Sequence, residues 1–150
     1  MKYYAAYGSN LNLGQMALRC PGSVPLGTAW LKGWRLLFKG SKTGAYLTIE
    51  RCEGSKVPVG IWTITDHDEK SLDRYEGYPD YYQKLTVPLE VKLSNKKTQE
   101  IEALIYKMPE TAMLGIPTKR YLETCLLGCM DFGIRPEYLA EALDASRRRV

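Results

Sequence analysis

Tyr82-Gln83-Lys84-Leu85-Thr86-Val87-Pro88-Leu89-Glu90-Val91-Lys92-Leu93 alternates apolar and polar side chains. Leu85, Val87, Leu89, Val91 and Leu93 fall on one face and Thr86, Glu90 and Lys92 on the other, the period of two that marks a half-buried strand. The polar stretch Ser94 to Gln99 then fits a hairpin return into Ile101 to Met108. Strand-like runs recur at Lys2 to Tyr7, Thr28 to Lys39, Ala45 to Glu50, Val57 to Ile64 and Glu100 to Met108, with Gly, Pro, Ser or Asn in most gaps. Helical signals are fewer. Asn12 to Arg19 opens with Asn12 and Gln15 at capping-box spacing and stops at Cys20-Pro21-Gly22. His67 to Glu76 has Asp66 as N-cap, Glu69 reaching back from the third position, and Gly77 for the left-handed closing position. After Pro117, Tyr121, Leu122, Cys125, Leu126, Cys129 and Met130 recur at helical spacing and form a face to pack on the sheet; a last short helix starts at Pro136. Six strands and a helical C-terminal third, without βαβ alternation, predict an α+β fold. The sheet is expected to be small, mostly antiparallel, closed or strongly curved into a barrel, and flanked by a few short helices.

A chain of 150 residues with no repeat, low-complexity stretch or Pro/Ser-rich linker is expected to form one domain over 1–150, large enough to bury about two thirds of its unfolded surface. No apolar run approaches the roughly 20 residues of a membrane span, and Met1-Lys2-Tyr3 does not open a signal peptide, so a soluble cytoplasmic protein is expected. The net charge of +4 owes three charges to the terminal Arg147, Arg148 and Arg149; without them 18 basic residues face 17 acidic. The remaining basic cluster, Lys96-Lys97, falls in the predicted hairpin loop, which argues against nucleic acid as a partner. Cys20, Cys52, Cys125 and Cys129 form no CxxC pair and read as reduced, buried thiols; the single histidine, His67, reads as a solvent-facing residue in a first helical turn. No metal site and no Cys-His nucleophile follow from these positions.

Two segments carry possible chemistry. Tyr7-Gly8-Ser9-Asn10-Leu11 ends an apolar strand in turn-forming residues, because Gly accepts backbone angles that others resist and Asn tolerates them. Such a turn leaves main-chain N–H groups unpaired and can cradle an anion or oxyanion; an ordinary strand-to-loop turn has the same composition. The second segment is Leu72-Asp73-Arg74-Tyr75-Glu76-Gly77-Tyr78-Pro79. Leu72 and Glu76 are four apart on the predicted helix, so an inward Leu72 turns Glu76 toward the interior or a pocket. Burial and the helix's C-terminal partial charge both raise a carboxyl's pKa, which suits a general acid/base. A structural Glu76 paired with Arg74 or Arg35 fits the pattern equally well.

Taken in order, Tyr3 to Leu11, Arg19-Cys20-Pro21, Leu31 to Phe38, Val59-Gly60-Ile61-Trp62, Leu72 to Pro79, Tyr82, Ala103-Leu104-Ile105-Tyr106 and Pro117 to Gly128 resemble the gamma-glutamylcyclotransferase-like proteins. The resemblance spans about residues 2 to 133, and departs from many relatives at Gln83, where they carry arginine. It implies a closed barrel with the Tyr7 to Leu11 loop and the carboxylate facing one cavity. It also implies cleavage of a gamma-glutamyl amide by the substrate's own α-amine, giving 5-oxoproline and an amine or amino acid, with no cofactor and no metal. Carried over by position, Glu76 is the general acid/base, and the substrate-binding set is Tyr7, Gly8, Ser9, Asn10, Leu11, Tyr82 and Tyr106. Gly8 to Asn10 would act through backbone N–H groups, and the three tyrosines through donating hydroxyls. For Tyr75, Tyr78 and Tyr81 simple ring packing is expected. The same barrel also allows a non-catalytic binding or regulatory protein, or a cyclotransferase restricted to gamma-glutamylamines or to deprotection in a biosynthetic pathway. The oligomeric state stays open, a homodimer included.

Overall fold

The alternating stretch and its return form the hairpin β4 (Gln83–Leu93) and β5 (Thr98–Lys107), paired from Gln83↔Lys107 to Lys92↔Thr98. The computed structural model describes residues 2–148. Along β4 the burial follows the sequence pattern, with Leu89 and Val91 buried and Thr86, Glu90 and Lys92 exposed. Three further strands, β1 (Lys2–Ala6), β2 (Val24–Lys39) and β3 (Tyr46–Ile64), complete a closed barrel in the order β1-β3-β2-β4-β5. All pairings are antiparallel except the closing one, where β5 lies parallel to β1 with Tyr3 opposite Ala103 and Tyr4 opposite Leu104.

Among the described residues five strands stand where the sequence predicts six, because Ala45 to Glu50 and Val57 to Ile64 fall, Ala45 apart, in the one strand β3. The polar residues between them read as a break. They instead continue a β2–β3 ribbon whose register shifts between Lys32↔Lys56 and Trp34↔Arg51, with Gly33 and Gly54 both at φ 85°. β2 also starts four residues before the expected Thr28, paired from Val24↔Thr63 onward.

Among the described residues four α-helices flank the barrel: α1 (Leu13–Arg19), α2 (Asp66–Glu76), α3 (Lys119–Phe132) and α4 (Glu137–Arg147). Asn12 caps α1 by accepting from Gln15 N–H at 3.0 Å. In α2 the cap sits one residue before the expected Asp66. Thr65 Oγ1 accepts from Asp68 N–H and Asp68 Oδ2 accepts from Thr65 N–H, both at 3.0 Å, while Glu69 turns outward to Lys2 and Lys84. Gly77 closes α2 at φ 66°. His67 is exposed in the first turn. Cys125 and Cys129 of α3 are buried, whereas Met130, expected on the same face, is 71% exposed because it lies beyond the strip that meets the barrel. Of the three terminal arginines, Arg147 ends α4 and Arg148 pairs with Asp144, while Arg149 lies outside the described residues.

A single turn of 3-10 helix, Ser9–Leu11, links β1 to α1. Leu11 is 1% exposed and is clamped between two glycines. A Cβ on Gly60 of β3 would lie 2.6 Å from Leu11 Cδ2, and one on Gly128 of α3 would lie 2.8 Å from Leu11 Cβ and 2.7 Å from Asn12 N. The loop is therefore set by close approach to a strand on one side and a helix on the other. Gly128→Ala is expected to lower stability by about 1 to 3 kcal/mol, the usual cost of overpacking, with the urea m-value unchanged; a variant as stable as wild type would show that the contact is loose.

Candidate active site

The loop and the end of α2 meet at a cavity of about 180 Å³ at one side of the barrel. Gly8, Ser9 and Asn10 form part of its wall and Glu76 another part. Among the described residues no protein acceptor meets the N–H of Gly8, Ser9 or Asn10; the turn's own bonds start with Leu11 N–H to Gly8 O and Asn12 N–H to Ser9 O, each 3.0 Å. The expected left-handed angles do not occur here. Gly8 has φ −129°, and neither it nor Asn10 adopts a positive φ. Position 8 is tight rather than closed: a Cβ would lie 3.2 Å from Tyr121 Oη and 3.4 Å from Leu47 Cδ1, so a side chain there needs the tyrosine hydroxyl to give way by a few tenths of an ångström. Leu11, carried in the expected binding set, faces away from the cavity into the clamp that holds the loop.

Asn10 is fixed through every polar atom it can offer inward. Its Nδ2 donates to Tyr4 Oη at 3.0 Å, its Oδ1 accepts from Arg19, and its backbone O accepts from Trp62 Nε1 at 2.9 Å. The Arg19 guanidinium also stacks 3.6 Å from the centre of the Tyr75 ring. The segment after Arg19 is tied to α2, since Gly22 N–H donates to Asp68 Oδ1 at 3.2 Å and Cys20 Sγ–H to Asp68 O at 3.6 Å.

Glu76 ends α2 one helical turn after Leu72, which is fully buried, so the shared face carries the carboxyl to the cavity. Among the described residues Glu76 forms no salt bridge, and Arg35 is engaged with Glu50 instead. Burial pushes the Glu76 carboxyl from its ordinary 4.5 up to about 7, against a weaker opposing pull from the Arg19 guanidinium.

Eight tyrosines line the cavity. The three expected to contact substrate are all there, but their hydroxyl hydrogens are committed to the protein. Tyr7 donates to Tyr106 O at 2.6 Å, Tyr82 to Leu47 O at 2.8 Å, and Tyr106 to Asp73 Oδ1 at 2.6 Å. They therefore present oxygen lone pairs rather than donors. Asp73 is held in turn by Lys84, 2.9 Å away, which also binds Glu69 at 2.8 Å. Tyr4, Tyr46 and Tyr121 line the cavity too, without any sequence signal that separates them from core tyrosines. Tyr75 and Tyr81 depart from the expected role of packing alone and form the half-exposed mouth with Tyr46. Gln83, the expected point of departure from the resemblance, is exposed and accepts from Lys107 Nζ at 3.2 Å, outside the cavity.

Cys20, Cys125 and Cys129 are buried, with thiols pushed up to about 11, 12 and 11 by burial, whereas Cys52, expected buried, is only partly so in the β2–β3 ribbon. Among the described residues no group of three or more His, Cys, Asp or Glu is placed to hold a metal ion, and no helix is long and apolar enough to cross a membrane.

Comparison with known proteins joins these features. A family model described as gamma-glutamyl cyclotransferase, AIG2-like, matches residues 4–123. Gamma-glutamylcyclotransferase of Bos taurus is 31% identical over 142 residues, covering 90% of this chain and 73% of the bovine protein. The Homo sapiens gamma-glutamylcyclotransferase is 30% identical with the same coverage. A solved gamma-glutamyl cyclotransferase superposes with a TM-score of 0.75 at 26% identity, covering 94% of this chain and 85% of its own. With its loop and carboxylate segments both inside the matched residues, the chain belongs to the gamma-glutamyl cyclotransferase, AIG2-like family.

Proposed function

We propose that this chain is a gamma-glutamylcyclotransferase-type enzyme that cleaves a gamma-glutamyl amide by attack of the substrate's own α-amine on its γ-carbonyl, releasing 5-oxoproline and an amine or amino acid. The observation that carries this reading is one carboxyl, Glu76, which among the described residues has no ion-pair partner and is held near neutrality in a cavity that also presents the N–H groups of Gly8 to Asn10, unpaired among those same residues. The α-nitrogen bonds to the γ-carbon, and the Glu76 carboxylate takes the proton which that nitrogen sheds. The bond from the γ-carbon to the leaving nitrogen then breaks, and Glu76 returns the proton to it. A group with a pKa of about 7 accepts and releases that proton with comparable ease at neutral pH.

The polarity of the wall suits a gamma-glutamyl head. Main-chain N–H donors face an anionic group, while the lone pairs of Tyr7, Tyr82 and Tyr106 and the Glu76 carboxylate face the amino group. The chemical demand on the protein is chiefly to fold a flexible chain into ring-closing geometry, and such positioning is worth up to about 7 to 11 kcal/mol when alignment is ideal. The reaction draws on no cofactor, and the reduced thiols fit a cytoplasmic setting.

Three outcomes test this reading. With gamma-glutamyl dipeptides, a gamma-glutamyl-lysine isopeptide and a gamma-glutamylamine as substrates, wild type is expected to form 5-oxoproline, and Glu76→Gln to lower kcat by about 10² to 10⁴, the usual contribution of a positioned acid/base. A Glu76→Gln variant as active as wild type rules out the assignment, and no product from any substrate favours a binding protein. The kcat/KM of wild type should fall as pH drops below about 7, where Glu76 takes up a proton, and Arg19→Met should move that limb to higher pH, since Arg19 holds the pKa down. Stability carries the opposite sign. Because the folded pKa is raised, folding is undisturbed by Glu76 below its ordinary 4.5 and is penalised as pH rises through about 7. Glu76→Gln removes that penalty, so at pH 8 chemical denaturation should find the variant more stable by about 3 kcal/mol, at about 1.4 kcal/mol per pKa unit, with the advantage vanishing near pH 4.

A further inference from the structure

The four buried tyrosines of the cavity, Tyr4, Tyr7, Tyr82 and Tyr106, differ in one respect. Three of them give their hydroxyl hydrogen to Tyr106 O, Leu47 O and Asp73 Oδ1. Tyr4 does not, and the reason lies outside its own ring. Arg19 has only donors, so the Asn10 atom that faces it must be the carbonyl oxygen, Oδ1. That choice fixes the amide and turns Nδ2 toward Tyr4 Oη, 3.0 Å away. An amide NH₂ can only donate, so the Tyr4 oxygen accepts and its hydrogen must point elsewhere. Among the described residues no protein acceptor takes it, and the open space beside Tyr4 is the cavity.

We infer that Tyr4 is a catalytic residue whose hydroxyl donates a hydrogen bond to the substrate's γ-carbonyl oxygen as that oxygen gains charge, and that Arg19 and Asn10 position and polarise it for this task. The inference rests on the cyclotransferase reading. Tyr4 and Glu76 line the same cavity, and burial first, then the Glu76 charge, keep the Tyr4 hydroxyl protonated. Both the attacking and the leaving nitrogen are bonded to the γ-carbon during reaction, so the group that shuttles their proton and the group that holds the γ-oxygen must lie side by side. A hydroxyl that already accepts a hydrogen bond from Asn10 Nδ2, itself polarised by a guanidinium, is a stronger donor than an isolated phenol. Tyr4 remains a phenol throughout: it lends its hydrogen without transferring it, and charge builds on the γ-oxygen and collapses again as the C–N bond breaks. With the γ-oxygen assigned to Tyr4, the N–H groups of Gly8, Ser9 and Asn10 take the substrate's α-carboxylate.

The test is a double-mutant cycle on a gamma-glutamyl dipeptide, following 5-oxoproline. Tyr4→Phe keeps the ring and its edge-to-face contact with Tyr106, whose centroid lies 5.9 Å away, and removes only the donor. It should lower kcat by about 10²-fold or more, as loss of an oxyanion donor does, with little change in KM and with the acidic limb of the pH profile still near 7. Asn10→Asp leaves Tyr4 in place but substitutes a carboxylate that can only accept, so the Tyr4 hydrogen turns away from the cavity to meet it. This variant should lose kcat to a similar extent, and the double variant should be no slower than Tyr4→Phe alone. Asn10→Asp also decides the matter should Tyr4→Phe disturb the fold. A loss of less than tenfold in Tyr4→Phe, or fully additive losses in the double variant, overturns the assignment and leaves the role of Glu76 standing. Failure of wild type to form 5-oxoproline from the dipeptide, the gamma-glutamyl-lysine isopeptide and the gamma-glutamylamine alike overturns both.

Discussion

Everything at the site depends on how Leu11 is held. A barrel strand that runs into a loop normally leaves that loop free to move, and main-chain N–H groups are useful to a ligand only if their direction is set beforehand. Here the loop is pinned at its far end by a buried side chain lodged between Gly60 of β3 and Gly128 of α3, where any larger residue would meet Leu11 at less than 3 Å. The Trp62 indole adds a second tie, to Asn10 O. Because β1 pairs with β3 on one side and with β5 on the other, the loop leaves from the one strand that closes the barrel. Barrel closure, helix packing and loop direction are thus parts of one constraint.

A second constraint sets the carboxylate. Glu76 reaches the cavity because Leu72 is fully buried a turn earlier, and its elevated pKa follows from that burial rather than from a neighbouring charge. Three of the buried or partly buried cations of the described residues are paired with other carboxylates. Arg35 and Lys39 serve Glu50, and Lys84 serves Glu69 and Asp73. Asp68 then links the two halves. It closes the capping box that starts α2 and holds the Gly22 N–H just after Arg19, so the guanidinium that tunes Glu76 and the helix that carries it share an anchor.

Much of this was legible in the residues. Period-two alternation marks β4, the Leu72 to Glu76 spacing turns a carboxylate inward, and Gly77 marks the end of α2. What escaped has physical causes. Residues 51–56 read as a break because a ribbon outside the barrel buries little on either face, so its strand carries polar residues throughout. Thr65 and Asp66 are both good caps, and only the hydrogen bonds choose between them. Tyr4 of β1 and Tyr121 of α3 look like core aromatics because the cavity wall uses positions that strand and helix periodicity also assign to the core. Whether a tyrosine hydroxyl donates or accepts there depends on partners more than thirty residues away for Tyr82 and Tyr106, and nothing local predicts it.

The proposed grip on the glutamyl head is made of main chain, and that has an evolutionary consequence. No substitution deletes a backbone N–H except proline, so the binding half of such a site tolerates drift as long as the Leu11 clamp persists. The proposed proton chemistry has no such protection, because it is assigned to the single side chain of Glu76. A descendant that lost that carboxylate would keep its barrel, its cavity and its ligand contacts, so a catalyst of this design lies one codon change from a receptor.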